Sequence, residues 1–312
     1  MQTLPPLPNC WYLTGATASG KTRLGLELAE KLDAEIVSLD SMAVYRGMNI
    51  GTAKPTAEDR KRIRHHMLDV VDPDQAFSLA EYLAAAHAIV RDIQQRGKEV
   101  LFVGGTPLYL KSLLRGVCGG PPADPEFRRA IEAEVARVGI GSLRERLAQV
   151  DPLSAAKLHP HDTRRMIRAL EVYTITGQPI SHHQLQFDDP NMDLAHRVFV
   201  LSWPRPKLHE RIDHRVDRMF QIGILDEVRS LLDRCGTLGK TAIQGVGYRE
   251  VIDHLRAEAD LETTISRVKT RTRRFARRQE TWFRGLPECQ WVPLDEQLSD
   301  AAVIEQMLSA VK

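Results

Sequence analysis

The segment Gly15-Ala16-Thr17-Ala18-Ser19-Gly20-Lys21-Thr22 fits the pattern G-x-x-x-x-G-K-[ST] and constrains the fold more than any other stretch of the chain. It follows an apolar run, Cys10-Trp11-Tyr12-Leu13, with the character of a short buried strand. It precedes Leu24, Leu28 and Leu32, which recur at helical spacing with Glu27 and Glu30 between them. A glycine loop between strand and helix captures anions. Gly15 and Gly20 let successive backbone N–H groups converge on phosphate oxygens at a helix N-terminus. Lys21 adds a mobile positive charge, and the Thr22 hydroxyl can hold Mg²⁺. A nucleoside triphosphate is the usual guest, but any diphosphate satisfies the same amides.

At 312 residues, 43% hydrophobic and 27% charged, the chain has the composition of an ordinary globular protein with room for one large or two modest domains. Met1 to Asn9 has three prolines, no cationic segment and no long apolar run, so neither a signal peptide nor a membrane span is expected. Cys10, Cys118, Cys235 and Cys289 lie far apart with no C-x-x-C, which argues against zinc and fits reduced thiols in a cytoplasm. The net charge of +2 conceals a basic stripe: Arg267 to Arg284 holds eight Lys or Arg residues against one acid, Glu280.

Ala34 to Asp40 is an apolar strand pattern ending in Asp40-Ser41. Strand C-termini line the ligand crevice of a parallel sheet, so Asp40 is expected to face whatever the 15–22 loop holds. Three roles stay open for it: general base, partner of Mg²⁺ through water, or cap of the next helix. Tyr45 to Pro55, with two glycines and no period, is a loop suited to walling a substrate. The adjacent His65-His66 read as packing or surface rather than a metal pair. Phe77 to Gln95 has the spacing of an amphipathic helix. Glu99 to Thr106 is a further buried strand, and its end lacks the acid that many P-loop NTPases place there to bind metal. That absence weakens an ATPase reading.

Gly119-Gly120-Pro121-Pro122 marks a boundary, and 119–197 reads as a helical insertion domain within a core formed by 1–118 and 198–312. Asp124-Pro125-Glu126 starts one of its helices, and Asp162 to Thr176 forms another carrying Arg164, Arg165 and Arg168. Leu208 to Leu232 reads as one long helix apart from Gly223. On it Arg211 and Arg215 share a face, suited either to a diphosphate or to a solvated surface paired with Glu210, Asp213 and Asp217. Ala242 to Arg249 is another glycine-bearing loop. The basic stripe leads into Trp282-Phe283-Arg284, and cations interleaved with aromatics suit an RNA backbone with unstacked bases. A basic amphipathic helix packed on an acidic neighbour is the plainer alternative.

These blocks together resemble the tRNA dimethylallyltransferases, also called isopentenyl-tRNA transferases. The resemblance rests on the 15–22 loop, Asp40-Ser41-Met42, Tyr45 to Pro55, Gly104-Gly105-Thr106, Arg168 to Val172, Gly247-Tyr248-Arg249 and Arg277 to Trp282, in family order over nearly the whole chain. It implies a P-loop NTPase-like α/β core with a helical insertion. It further implies transfer of a dimethylallyl group from dimethylallyl diphosphate to N6 of the adenine just 3′ of the anticodon in tRNA, with Mg²⁺.

Carried onto this sequence, the loop of Gly15, Ala16, Thr17, Ala18, Ser19, Gly20, Lys21 and Thr22, with Arg211 and Arg215, would hold the diphosphate. Thr22 would ligate Mg²⁺, with Asp40 reaching the ion through water, and Arg215 would clamp the leaving group. Asp40 would accept the amine proton, completing a catalytic set with Lys21, Thr22 and Arg215. Thr106 would touch the target nucleotide and Arg128 the tRNA. Contacts to the anticodon stem-loop are further implied for Asp40, Ser41, Met42 and Ala43, and for Arg164, Arg165, Met166, Ile167 and Arg168. So are contacts from Gln244, Gly245, Val246, Gly247, Tyr248 and Arg249, and from Arg277, Arg278, Gln279, Glu280, Thr281, Trp282, Phe283 and Arg284. A monomer with no membrane attachment is expected.

Ala16 stands where many relatives have Pro, and no cysteine-histidine finger follows Trp282, which implies the bacterial type. The rivals are a small-molecule or nucleoside kinase, a transferase prenylating free AMP, and an RNA-binding module with a vestigial loop. The first leaves the basic stripe unexplained, the second needs no anticodon-sized surface, and the third leaves Asp40 without a role.

Overall fold

The computed structural model describes residues 3–118, 120–183 and 189–311. The chain divides into an α/β unit, Leu7–Leu114 with Pro190–Lys312, and a helical unit, Met1–Pro6 with Arg115–Asp189. The first elements are β1 (Thr3–Leu4), β2 (Trp11–Gly15), α1 (Lys21–Leu32), β3 (Ala34–Leu39), α2 (Ala57–Arg62), β4 (His65–His66), α3 (Leu79–Gln95), β5 (Glu99–Gly104) and α4 (Pro107–Arg115). There follow β6 (Val117–Cys118), α5 (Pro125–Val138), α6 (Ile140–Val150), α7 (Pro152–Lys157), α8 (Thr163–Thr176) and α9 (Ile180–His183). The chain then forms β7 (Val198–Ser202), α10 (Arg205–Gln221), α11 (Ile224–Cys235), α12 (Tyr248–Leu255), α13 (Leu261–Arg284), β8 (Gln290–Pro293) and α14 (Asp300–Ser309).

In the α/β unit six strands form one parallel sheet in the order β4-β3-β5-β2-β7-β8. β2 and β3 are buried along their whole length, which is why they read as continuous apolar runs rather than as alternating ones. On one side Leu13 and Ile36 pack with Leu24 and Leu28 of α1 and Val303 and Met307 of α14. Tyr12 stacks on Phe102 with ring centroids 5.2 Å apart. β5 lies between β2 and β3, so three strand ends, Gly15, Gly104 and Leu39, come side by side. A side chain at Gly15 would meet the Leu201 carbonyl at 2.6 Å, and its φ of 144° is open to glycine alone. No helix among the described residues is long and apolar enough to cross a membrane.

The helical unit packs Ile131, Leu143, Leu147, Met166, Ile167 and Leu170 into its own core. β1 pairs antiparallel with β6, so the N-terminal residues belong to this unit and not to the core to which the sequence reading assigned them. Glu171 is fully buried and accepts from Arg128 Nη2 at 2.7 Å, Arg168 Nη1 at 2.5 Å and the Asp124 amide at 2.7 Å. Burial pushes this carboxyl up, but the two guanidiniums and the amide outweigh it and hold the group below the usual carboxylate range.

The structure shifts several boundaries. The 77–95 helix begins at Leu79, because the Ser78 hydroxyl and the Glu81 carboxylate form a reciprocal capping box. Leu208 to Leu232 is two helices, broken where Gly223 takes a φ of 102°. Gly119, half of the glycine pair at the boundary, lies outside the described residues.

Candidate active site

A crevice of about 960 Å³ opens in the α/β unit where β2, β3 and β5 end. The 15–22 loop forms its floor. Gly20 caps α1 without a side-chain bond, and the amides of Ala18, Gly20, Lys21 and Thr22 have no protein partner among the described residues. Ala18 and Gly20 both have positive φ, 64° and 100°, which turns neighbouring N–H groups to one side as an anion nest. The Lys21 ammonium folds back on the loop, donating to Gly15 O at 2.9 Å and Ala16 O at 2.7 Å.

α10 closes the loop from above. Arg211 Nε donates to Ala18 O at 2.9 Å, and its guanidinium lies 4.5 Å over Trp203, whose indole N–H donates to Ser19 O. Arg215 Nη1 donates to Thr17 Oγ1 at 2.9 Å. The acids flanking these arginines pair elsewhere: Glu210 with Lys207, Asp213 with Arg273, Asp217 with Lys269. Lys21 keeps a little exposed surface on the crevice side but is otherwise enclosed. Burial, reinforced by Arg215 and opposed by Asp40, pushes its ammonium down to about 7. Burial also lowers Arg215, which Asp40 partly offsets.

Asp40 stands at the end of β3 on the same crevice. Its Oδ1 accepts from the Met42 amide at 2.8 Å and more weakly from Ala43 at 3.4 Å. It therefore fixes a turn, and no helix begins there to be capped. Oδ2 has no protein partner among the described residues. The Ser41 amide donates to Thr106 Oγ1 at 3.0 Å, so Asp40, Ser41 and Thr106 form one lip of the crevice. Among the described residues no group of three acidic, histidine or cysteine side chains could hold a metal by itself. The unpaired Thr22 hydroxyl fits a Mg²⁺ that takes its other oxygens from phosphate and water, and Asp40, on the same crevice, could reach such an ion only through one of those waters.

The far helix divides the expected basic surface. On α13, Lys269, Arg271 and Arg273 pair with Asp217, Glu250 and Asp213 and so hold it to α10 and α12. Arg267, Arg274, Arg277 and Arg278 are exposed with no acidic partner among the described residues, and Trp282 is 42% exposed. Phe283 is fully buried and offers no face to a base, contrary to expectation. The other implied RNA contacts differ in exposure. Met166 and Ile167 are core residues of the helical unit, and Arg128 and Arg168 are bound to Glu171. Gly245, Gly247 and Tyr248 are buried, while Arg164, Arg165, Gln244, Arg249 and Thr281 are exposed. Arg284 lies 5.6 Å over Trp291 and pairs with Glu280. Gln279 is buried against the loop.

Glu227 and Trp203 carry no local sequence signal, and the partner of Lys54, itself within the 45–55 loop, could not be read from its neighbours. Glu227 accepts from the amides of Asn49, Ile50 and Gly51 and from the Tyr248 hydroxyl, which organises the 45–55 wall. Lys54 bonds Asp69 at 2.6 Å within that wall, and Trp203 backs the anion loop.

An anion nest at the carboxyl edge of a parallel sheet, closed by two arginines and faced by a carboxylate, is the arrangement of a P-loop phosphate site. The family model for IPP transferase matches residues 43–286, and the chain belongs to that family. It is 55% identical over 292 residues to a tRNA dimethylallyltransferase of Rhodopirellula baltica, covering 91% of this chain and 87% of that protein. A tRNA dimethylallyltransferase of Pelotomaculum thermopropionicum is 43% identical over 298 residues, 95% of this chain and 94% of that one. The crystal structure of a full-length tRNA isopentenylpyrophosphate transferase from Bacillus halodurans superposes with a TM-score of 0.69 at 35% identity, covering 98% and 97%. A eukaryotic dimethylallyltransferase acting on tRNA superposes with a TM-score of 0.78 at 27% identity, covering 96% of this chain and 77% of that one.

Proposed function

We propose that the chain transfers a dimethylallyl group from dimethylallyl diphosphate to N6 of the adenine immediately 3′ of the anticodon in tRNA, releasing diphosphate. One observation carries this reading: a single crevice holds the Asp40 carboxylate, with one oxygen free, and an anion cradle of Lys21, Arg211, Arg215 and unpaired loop amides. An exocyclic amine is a poor nucleophile because its lone pair is delocalised into the ring. Asp40 Oδ2 is the base that takes its proton as the carbon–nitrogen bond forms. Negative charge gathers on the diphosphate as it leaves, and Lys21, Arg215 and the loop amides stabilise that charge. A Mg²⁺ at Thr22 would neutralise further phosphate oxygens.

The target adenine leaves its stack to enter the crevice, with the exposed cations of α13 and Trp282 supporting the anticodon stem-loop. A monomeric cytoplasmic enzyme fits this substrate. A kinase is less favoured because β5 ends in Gly104-Gly105-Thr106, with no carboxylate for nucleotide-bound metal.

Incubation with radiolabelled dimethylallyl diphosphate, Mg²⁺ and unmodified tRNA, AMP or ATP tests this. Label is expected in tRNA alone. Label in AMP but not tRNA, or ATP hydrolysis without label transfer, would overturn the assignment.

A further inference from the structure

Gln279 lies on the helix that carries the exposed cations, yet its side chain points the other way and is 4% exposed. Its Oε1 accepts the Thr17 amide at 2.8 Å, and its Nε2 donates to Gly105 O at 2.6 Å. Both ends of the carboxamide are therefore used, one on the anion loop and one on the end of β5. Gly105 leaves room for it: a side chain there would meet Gln279 Nε2 at 2.5 Å. Thr17 is held at its other end as well, since its hydroxyl accepts from Arg215.

Few loop amides then remain for an anion. The Ser19 amide bonds Ala16 O, and the Thr17 amide bonds Gln279. Ala18, Gly20, Lys21 and Thr22 are left. A phosphate chain seated on these and extending back along the loop finds its next backbone donor at Thr17, whose amide is already given to Gln279. We infer that Gln279 is a specificity-determining positioning residue, which withdraws the Thr17 amide from the cradle and limits the loop to a two-phosphate grip. The inference rests on the diphosphate reading of this loop and explains how a loop of the nucleotide-binding pattern favours a diphosphate over a triphosphate.

The test compares inorganic pyrophosphate and tripolyphosphate binding by calorimetry on the unaltered chain, on Gln279→Met and on Gly105→Ala. The methionine matches the glutamine in size without its amide, and the alanine displaces that amide while leaving Gln279 in the sequence. The unaltered chain is expected to bind tripolyphosphate no more tightly than pyrophosphate despite the greater charge. Both variants should tighten tripolyphosphate about tenfold relative to pyrophosphate, because a freed amide adds one donor to a charged acceptor. A purely structural Gln279 lowers the melting temperature and scales both affinities by one factor, and that result would overturn the inference. If Gln279→Met does not fold, the ratio in Gly105→Ala decides alone. Failure of the unaltered chain to bind pyrophosphate at all would instead overturn the diphosphate reading.

Discussion

Arg215 Nη1 bonds Thr17 Oγ1 at 2.9 Å, joining the helix that follows β7 to the loop that precedes the first helix. The guanidinium thus rests on the anion loop, and in the proposed reaction charge developing on a leaving diphosphate would meet a cation already in place. Replacing Arg215 by Gln is expected to lower kcat by about 10²- to 10³-fold, with the melting temperature little changed. Steady-state kinetics with thermal melts checks this.

The proposed reading gives Asp40 two functions, a turn contact on Oδ1 and the base on Oδ2. Asp40→Asn keeps the Oδ1 acceptor for the Met42 amide but removes the proposed base, so kcat should fall about 10²- to 10⁴-fold while tRNA affinity is preserved. Asp40→Ala loses the turn as well and should unfold about 1 kcal/mol more easily than Asp40→Asn. Loss of tRNA binding alone in Asp40→Asn would move the residue from base to recognition.

Lys21 predicts a pH dependence. Burial leaves its ammonium titrating at about 7, so part of the free protein lacks this cation at neutral pH. The protonated form binds the anion, and the bound anion raises the proton affinity in turn. Diphosphate binding should therefore take up protons near pH 7 and weaken as pH rises above it. Calorimetry in buffers of different ionisation enthalpy measures the uptake. Lys21→Arg, which stays charged, should flatten the profile.

The two populations of cations on the last long helix should separate experimentally. Removing Arg274, Arg277 or Arg278 should reduce the salt slope of tRNA binding by about 0.7 to 0.9 for each phosphate that is no longer neutralised. Removing Lys269 or Arg273 should leave that slope unchanged and instead destabilise the fold, because their partners Asp217 and Asp213 lose their counter-charges. Filter binding across a salt series, with thermal melts, distinguishes them.

What could be read from the sequence followed from local spacing. The 15–22 loop is a contiguous pattern between a strand and a helix, Asp40 is the residue at which a strand runs out, and Arg211 and Arg215 are four apart on one helix. Long-range pairing could not be read in this way. Gln279 meets Thr17 across 262 residues, and nothing near either position announces it. Which half of the basic stripe faces acids depended on the side of the helix that packs inward. The burial of Met166 and Ile167 was available in principle, since with Ala169 and Leu170 they make an apolar face at helical spacing. The resemblance implied RNA contact for 164–168 as a block, without regard to which side chains face inward.

The central claim is that one crevice joins the allylic carbon to a particular adenine. Mass spectrometry of nucleosides and fragments from tRNA treated with the protein, dimethylallyl diphosphate and Mg²⁺ tests it most directly. A single dimethylallyl increment on N6 of the adenosine 3′ of the anticodon, absent when Asp40→Asn replaces the unaltered chain, is the predicted result. An increment elsewhere in the tRNA, or on free AMP in its place, would contradict it.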